Sequence, residues 1–343
     1  MQKVVIHKPG GYERLEIETH PDLKPKSGEV VVTTAAVGVN YADCCVRWGV
    51  YQSAKDYVGW PITPGFEFSG TVTEIGADVK NVKPGDRVFG ITRFGGYASQ
   101  VLVPAHQVFP MPKTFSFSEA AAFPAVFMTA YHALFQNVRL RPGHTLLVHS
   151  AAGGVGTALL QLGKLAECKV IGVVGSPHKV EVAKHFGADI VIDKSSQDLW
   201  KEAEKAVPGG YDLILDANGH PTLMDGYRHL RPTGRLVTYG YHTMLPKSGG
   251  RINYLKAAWG LVNLPRFSAI KLCDENKGVF GFNISFLFDR LDLVSEGMTE
   301  LLKWANAGKI MAPKVTEFKF AEVAEAHKKI ESATSVGKLV LVL

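Results

Sequence analysis

Cysteine is scarce. The 343 residues hold four, Cys44, Cys45, Cys168 and Cys273, with one adjacent pair and no Cys-x-x-Cys. That spacing supports neither a disulfide framework nor a structural zinc lobe, so a reducing, cytoplasmic setting is expected. Long apolar runs are missing too: the longest, around Ala257 to Pro265, falls far short of the ~18 residues of a membrane span, and no transmembrane segment is predicted. The opening Met1-Gln2-Lys3-Val4-Val5-Ile6-His7 moves straight into a strand-like run without an apolar signal core. The twelve histidines include no His-Glu-x-x-His, and no Gly-x-Ser-x-Gly elbow occurs, which leaves hydrolase chemistry without support. Charge is not concentrated either. Thirty-eight Lys and Arg against 32 Asp and Glu give +6, scattered along the chain. No nucleic-acid footprint is demanded, and a local site for an anionic cofactor would use the excess equally well.

What is present is enough apolar material, 46% of the chain, for about two domains with cores of their own. Up to about residue 117 the pattern is one of short strands and frequent turns: Val30 to Ala35, Gly70 to Gly76, and Arg87 to Ile91 after the turn Lys83-Pro84-Gly85-Asp86. This reads as a small irregular β-barrel. A helix with Ser118 as N-cap then opens an alternating region. Its strands are Thr145–His149, Lys169–Val174, Asp189–Ile192, Tyr211–Leu215 and Arg235–Tyr239, with helices starting near Gly154, His178, Ser196 and Pro221. Unbroken apolar strands between helices predict a doubly wound parallel sheet. Helices at about 289–308 and 321–332 and a last strand from Lys338 to Leu343 leave that alternation and are expected to return to the first domain. The expected division is therefore 1–117 with 282–343, and 118–281.

After the first strand of the alternating region comes Ser150-Ala151-Ala152-Gly153-Gly154-Val155-Gly156, then an apolar helix. A pyrophosphate needs backbone N–H groups at a helix N-terminus and glycines where side chains would block its approach, so Gly153, Gly154 and Val155 are cofactor-binding candidates. The second strand ends in Val174-Gly175-Ser176-Pro177-His178-Lys179, without the carboxylate that would hold a ribose 2′-hydroxyl. Gly175 leaves room there and Ser176 can donate. Lys179, with Lys194 after the third strand, either neutralises a 2′-phosphate or is an ordinary solvated charge. NADPH is the expected cofactor.

Several landmarks in order, Gly38-Val39-Asn40-Tyr41-Ala42-Asp43, Gly49-Val50-Tyr51, Pro64 to Gly70, Lys83 to Val88, the Ala151–Gly156 turn and Gly337-Lys338, carry a resemblance that covers essentially the whole chain. The chain resembles the zinc-free quinone oxidoreductase branch of the medium-chain dehydrogenase/reductase superfamily, which includes the ζ-crystallin and vesicle amine transport protein relatives. The resemblance implies a GroES-like domain beside a Rossmann-type NADP(H)-binding domain. Where zinc-dependent members place their catalytic ligands, this chain carries Asn40, Phe66 and approximately Ala125, which make no tetrahedral ligand set, so no metal is expected. Asp43 and Glu67 read as structural carboxylates.

Hydride transfer without a metal needs hydrogen-bond donors where negative charge develops on the substrate oxygen. The resemblance points to Asn40, the family's nicotinamide-side asparagine, and to Tyr51, which either donates from its phenol or lines the pocket. Tyr41 is a third candidate. Cys45 replaces a tyrosine common in the family and is either reactive or a buried inert thiol. Thr129 lies where relatives approach the nicotinamide carboxamide, unless it only bonds the preceding helical turn. Asn218, Tyr239 and Gly240, at strand ends, are expected to face the cofactor. Phe280 is a candidate cover for the nicotinamide, and Lys338 either reaches the phosphates or flanks the last strand.

These features predict an NADPH-dependent, zinc-independent reductase of small quinones or α,β-unsaturated carbonyls such as enals. The alternatives are a nucleotide-binding interaction protein at a membrane surface or on RNA, and an alcohol dehydrogenase. The membrane alternative rests on residues 254–272, where Trp259, Leu261, Val262, Leu264 and Phe267 mix with Lys256, Arg266 and Lys271. The same segment could instead be a lid or a dimer contact. Related proteins often dimerise by joining edge strands of their nucleotide-binding sheets, and Gly278 to Phe282 is a candidate edge, so the resemblance implies a homodimer.

Overall fold

The structure, a computed structural model, describes every residue except Pro221, and only the backbone of Tyr254 and Lys256. The predicted helix start at Pro221 therefore lies outside the described residues. The chain divides into two compact units, 1–128 with 247–251 and 285–343, and 129–246 with 252–284.

The first unit begins with a hairpin, β1 (Gln2–Val5) and β2 (Glu16–Thr19), which forms a two-stranded sheet of its own. Then follow β3 (Glu29–Val39), α1 (Tyr41–Trp48), α2 (Gln52–Tyr57), β4 (Glu67–Ile75), β5 (Arg87–Ile91), β6 (Gln100–Pro104), β7 (Val108–Pro110), α3 (Phe117–Ala122) and the start of α4 (Pro124–Tyr131). The N-cap of α3 is Ser116, not Ser118: its hydroxyl accepts from the Glu119 N–H while Glu119 reaches back to the Ser116 N–H. Such a reciprocal box satisfies two helix-end donors at once, which a cap two residues later would not.

The second unit alternates β8 (Thr145–Val148), α5 (Gly154–Leu165), β9 (Lys169–Val174), α6 (Val180–His185), β10 (Ile190–Asp193), α7 (Leu199–Ala206), β11 (Tyr211–Asp216), α8 (Thr222–Arg228) and β12 (Leu230–Thr238), then α9 (Tyr254–Val262), α10 (Ala269–Asp274) and β13 (Gly278–Gly281). The helix expected near Ser196 starts later because Asp198 caps it, its Oδ1 accepting from the N–H groups of Trp200 and Lys201. The strands pair in parallel in the order β10-β9-β8-β11-β12-β13, a doubly wound sheet whose reversal point falls between β8 and β11. Leu147, Ile171, Val173, Ile214 and Leu236 fill its core.

The remaining elements, α11 (Leu291–Asn306), β14 (Val315–Lys319), α12 (Val323–Glu331) and β15 (Lys338–Val342), complete the first unit. β15 lies between β14 and β3 in a seven-stranded sheet, so residues near the end of the chain sit inside the barrel that its beginning forms. Val32, Val37, Phe68, Val88, Leu339 and Leu341 form its apolar core.

Candidate functional site

In the first unit the polar centre grows from the start of α1. Asn40 is the N-cap of that helix, and Asp43 accepts from the Asn40 backbone N–H at 2.7 Å. The same carboxylate accepts from the Gly65 N–H at 2.9 Å and the Tyr97 hydroxyl at 3.0 Å. Burial pushes the Asp43 pKa up to about 7 against the pull of these donors.

With its backbone fixed, Asn40 turns its amide toward β15 and β4. Lys338 donates to Oδ1, and Nδ2 donates to Glu67 Oε1 at 2.9 Å. Lys338 and Glu67 pair at 2.6 Å with both side chains buried, and Glu67 Oε2 accepts from the Ala125 N–H at 2.7 Å. An ammonium only donates, so the amide oxygen must face Lys338, and one hydrogen on Nδ2 is left over. Lys338 is thus spent on orienting Asn40 rather than offered to a phosphate.

The same geometry answers the metal question. Of the three positions that the resemblance sets against zinc ligands, Asn40 is bound to Lys338, Phe66 is a buried ring and Ala125 offers its backbone. The Lys338 ammonium lies beside Glu67, and this donor set does not fit zinc. Tyr51 stands at the N-cap of α2, edge-on to Phe66 and Phe94 with ring centroids 5.7 and 6.4 Å apart. Tyr41 packs edge-on against Trp48, and burial raises the pKa of its phenol. Burial also pushes the Cys45 thiol up to about 12, which disfavours the reactive thiolate.

Behind this centre lies a buried network that sequence reasoning missed. Arg47 and Glu331 pair at 2.6 Å, both with fully buried side chains. Tyr12 donates to the other Glu331 oxygen at 2.5 Å, and Arg47 also reaches the carbonyls of Gly10 and Gly250. Burial, and then Arg47, hold the His327 pKa well below the imidazole range. Since Arg47 Nη1 only donates, His327 Nδ1, 3.1 Å away, is the acceptor, and the ring proton sits on Nε2 facing the Tyr97 oxygen at 3.4 Å. The chain of donors therefore runs in one direction, from Arg47 through His327 and Tyr97 to Asp43. Cys44, His327 and Glu331 converge closely enough for a metal, but the Arg47 guanidinium occupies that role.

The second unit offers backbone rather than side chains. Gly153 is the N-cap of α5 with no side chain capping the helix, so the first-turn N–H groups of Gly154 and Val155 have no acceptor within it. A Cβ on Gly156 would strike the Ser150 carbonyl and the Ala151 backbone, so the close approach of turn and helix requires glycine. Gly175 is exposed at the end of β9, and a Cβ there would meet only the Lys194 stem, at 3.6 Å. Ser176 caps the following turn, which ends in Lys179. Gly175, Ser176, Lys179 and Lys194 are thus gathered at neighbouring strand ends. The nearby acid, Asp193, is buried and accepts from the Ser195 N–H and hydroxyl.

At the end of β11, Asn218 is fully buried. Its N–H donates to Asp216 and its Nδ2 to Thr222, while its Oδ1 finds no partner in the protein. A buried orphan acceptor at a strand's carboxyl end fits a ligand that donates. Tyr239 and Gly240 follow β12, where the Tyr239 N–H is held by the Asp216 carbonyl. Phe280 is half-exposed on the edge strand β13, tilted 6.2 Å from Phe282. Thr129 is buried on α4. His149, at the end of β8, is fully buried with both ring nitrogens unpartnered and lies 3.7 Å from Asp216. Burial lowers its pKa.

Residues 26–113 match the alcohol dehydrogenase GroES-like domain, and residues 186–341 match a zinc-binding dehydrogenase family model. Over 335 residues the chain is 36% identical to the rat (Rattus norvegicus) synaptic vesicle membrane protein VAT-1 homolog, covering 97% of this chain and 82% of that protein. Escherichia coli quinone oxidoreductase complexed with NADPH superposes with a TM-score of 0.85 at 25% identity, over 100% of both chains. CurK enoyl reductase gives 0.86 at 25% identity, over 99% of this chain and 98% of the other. Barrel, doubly wound sheet and relatives agree: the chain belongs to the zinc-free quinone oxidoreductase and VAT-1 branch of the medium-chain dehydrogenase/reductase superfamily.

Proposed function

We propose that the protein is an NADPH-dependent, zinc-independent reductase of quinones or α,β-unsaturated carbonyls. The observation that carries this reading is the Asn40 amide, locked by Lys338 and Glu67 with one donor hydrogen left over. A fixed neutral donor stabilises charge developing on a substrate oxygen without reorganising, and an electron-poor quinone or enone needs no stronger Lewis acid. NADPH supplies the hydride when bound. The residues that would hold it are the first turn of α5 for the pyrophosphate, Ser176, Lys179 and Lys194 for the 2′-phosphate, and Asn218 for a donor of the nicotinamide portion. Tyr51 with Phe66 and Phe94 would present an apolar aromatic wall to a flat acceptor.

The test is NADPH oxidation with 1,4-benzoquinones, phenanthrenequinone and small enals. Asn40→Ala is expected to lower turnover about a hundredfold. Tight NADPH binding with no turnover of any of these acceptors would sink the enzymatic reading. The open edge at β13 leads us to expect a homodimer, which light scattering across a dilution series measures.

A second reading rests on a separate observation. Leu255, Trp259 and Val262 follow helical spacing on α9 and are 85, 60 and 83% exposed, with Ile270 of α10 exposed beside Lys271. No Asp or Glu occurs between residues 226 and 273. This supports adsorption to an anionic membrane surface. Phe267 takes no part in it, because its ring packs 5.3 Å from Tyr227 against the second unit's core. Cosedimentation with phosphatidylserine vesicles, lost in Trp259→Ser with NADPH binding kept, is the expected result. Equal cosedimentation of both proteins would remove the idea.

A further inference from the structure

Two groups of side chains in the first unit bring metal-ligating atoms within 4.8 Å of one another. The buried one, Cys44, His327 and Glu331, already has the Arg47 guanidinium. The other is on the surface of the β1–β2 hairpin and has no such occupant. His7 Nε2 lies 2.5 Å from Glu18 Oε1, and His20 Nε2 lies 2.8 Å from Glu18 Oε2. Glu16 brings a second carboxylate into the same cluster as His7 and Glu18. We propose that His7, Glu16 and Glu18 form a binding site for one divalent transition ion of the zinc type, with His20 orienting the Glu18 carboxylate through its other oxygen.

Strand geometry explains how these residues meet. Glu16, Glu18 and His20 stand at i, i+2 and i+4, the spacing that places side chains on one face of an extended chain. His7 comes from the other side of the hairpin, where β1 and β2 pair in antiparallel register with Val5 opposite Glu16. Among the described residues no Lys or Arg forms an ion pair with any of the four. Lys3 lies opposite Glu18 in the register without pairing to it, and the amino group of Met1 pairs with Asp22. Two carboxylates and two imidazoles are therefore left to share two hydrogen bonds. Imidazole nitrogen with carboxylate oxygen is a borderline donor set that zinc takes at about 2.0–2.2 Å, whereas calcium and magnesium favour oxygen alone.

The hairpin gives such an ion something to do. A two-stranded sheet is marginal by itself. This one is joined to the rest of its unit by isolated bridges, Lys3 with Ala98 and Ile6 with Ile62, and by the buried side chains of Val4 and Ile6. An ion held between His7, beyond the end of β1, and Glu16 and Glu18 of β2 would tie the two sides of the hairpin together, and binding to the folded form alone raises apparent stability. The site is separate from Asn40 and Lys338 and does not depend on the proposed reduction.

The experiment is a zinc titration of the chelator-stripped full chain, followed by calorimetry, elemental analysis after gel filtration and thermal melting. One zinc per chain and a raised melting temperature are expected, with no shift on adding the same concentration of magnesium or calcium. His7→Ala and His20→Ala should each weaken zinc binding about tenfold or more, as loss of groups that hold or orient a metal does, while NADPH binding is unchanged. Since the four residues are at the surface, melting of the metal-free variants should match the metal-free parent. Zinc bound with unchanged stoichiometry and affinity by the double variant would overturn the proposal, as would binding no tighter than that of magnesium.

Discussion

The two units hold their candidate groups by opposite means. In the first, a donor is oriented by side chains drawn from far apart in the chain, Asn40 with Glu67 and Lys338 and, behind them, Arg47 with His327 and Glu331. In the second, the turn from Ser150 to Gly156 is almost entirely backbone, shaped by glycine. Side-chain networks fix one atom tightly but depend on every partner. A backbone turn depends on local φ and ψ and on the lack of a Cβ.

The largest effect should therefore come from cutting the buried network. Glu331→Gln leaves the Arg47 charge buried without its counter-ion, and removing one partner of such a pair costs about 3–5 kcal/mol. Denaturant melts should show the first unit unfolding early, and an unchanged midpoint would mean that the pair is silent. Gly156→Val attacks the other design. Its side chain must force turn and helix apart, at about 1–3 kcal/mol, and NADPH affinity should fall far more than stability does. If both fall together, the turn is only a structural stop.

His149 carries a smaller effect of opposite sign. Neither ring nitrogen has a hydrogen-bond partner, so His149→Phe removes two buried orphans and should stabilise by about 1 kcal/mol. The same variant tests pH dependence. His149 and His327 both have lowered folded pKa values, so the unfolded chain binds protons more readily than the folded one. Their stabilising contribution is full above the unfolded imidazole pKa of about 6.5 and is lost as pH falls below it. Asp43, raised to about 7, works against them in this window, so the readout is the difference: between pH 7.5 and 5 the melting temperature should fall less steeply in His149→Phe than in the parent. The smallest change in stability belongs to Ser176→Asp, which should move cofactor preference toward NADH without altering the melt.

This contrast also decides what was legible in the sequence. The strands of the second unit are apolar runs between turn residues, so Lys169–Val174 was read to the residue and Tyr211–Asp216 to within one. The start of β12 was missed because Pro232 and Gly234 punctuate it like a loop. Ser116-x-x-Glu119 was a readable capping box, passed over for the serine two residues on. Asn40 was found through its place in a family landmark. No local pattern announces that its partner is Lys338, 298 residues away, or that Arg47 will meet Glu331 across 284. Such pairs exist only once the barrel closes.

That closure has a timetable. β15 inserts between β14 and β3, and until it does, Val37 to Val39 form an open edge. At about 5–20 residues per second, a ribosome that has just made Val39 reaches Lys338 only about 15–60 s later. By then every strand of the doubly wound sheet has been synthesised. The second unit can be folded before the polar centre around Asn40 exists, so under the proposed function the residues that would hold the cofactor are in place before those that would orient the donor.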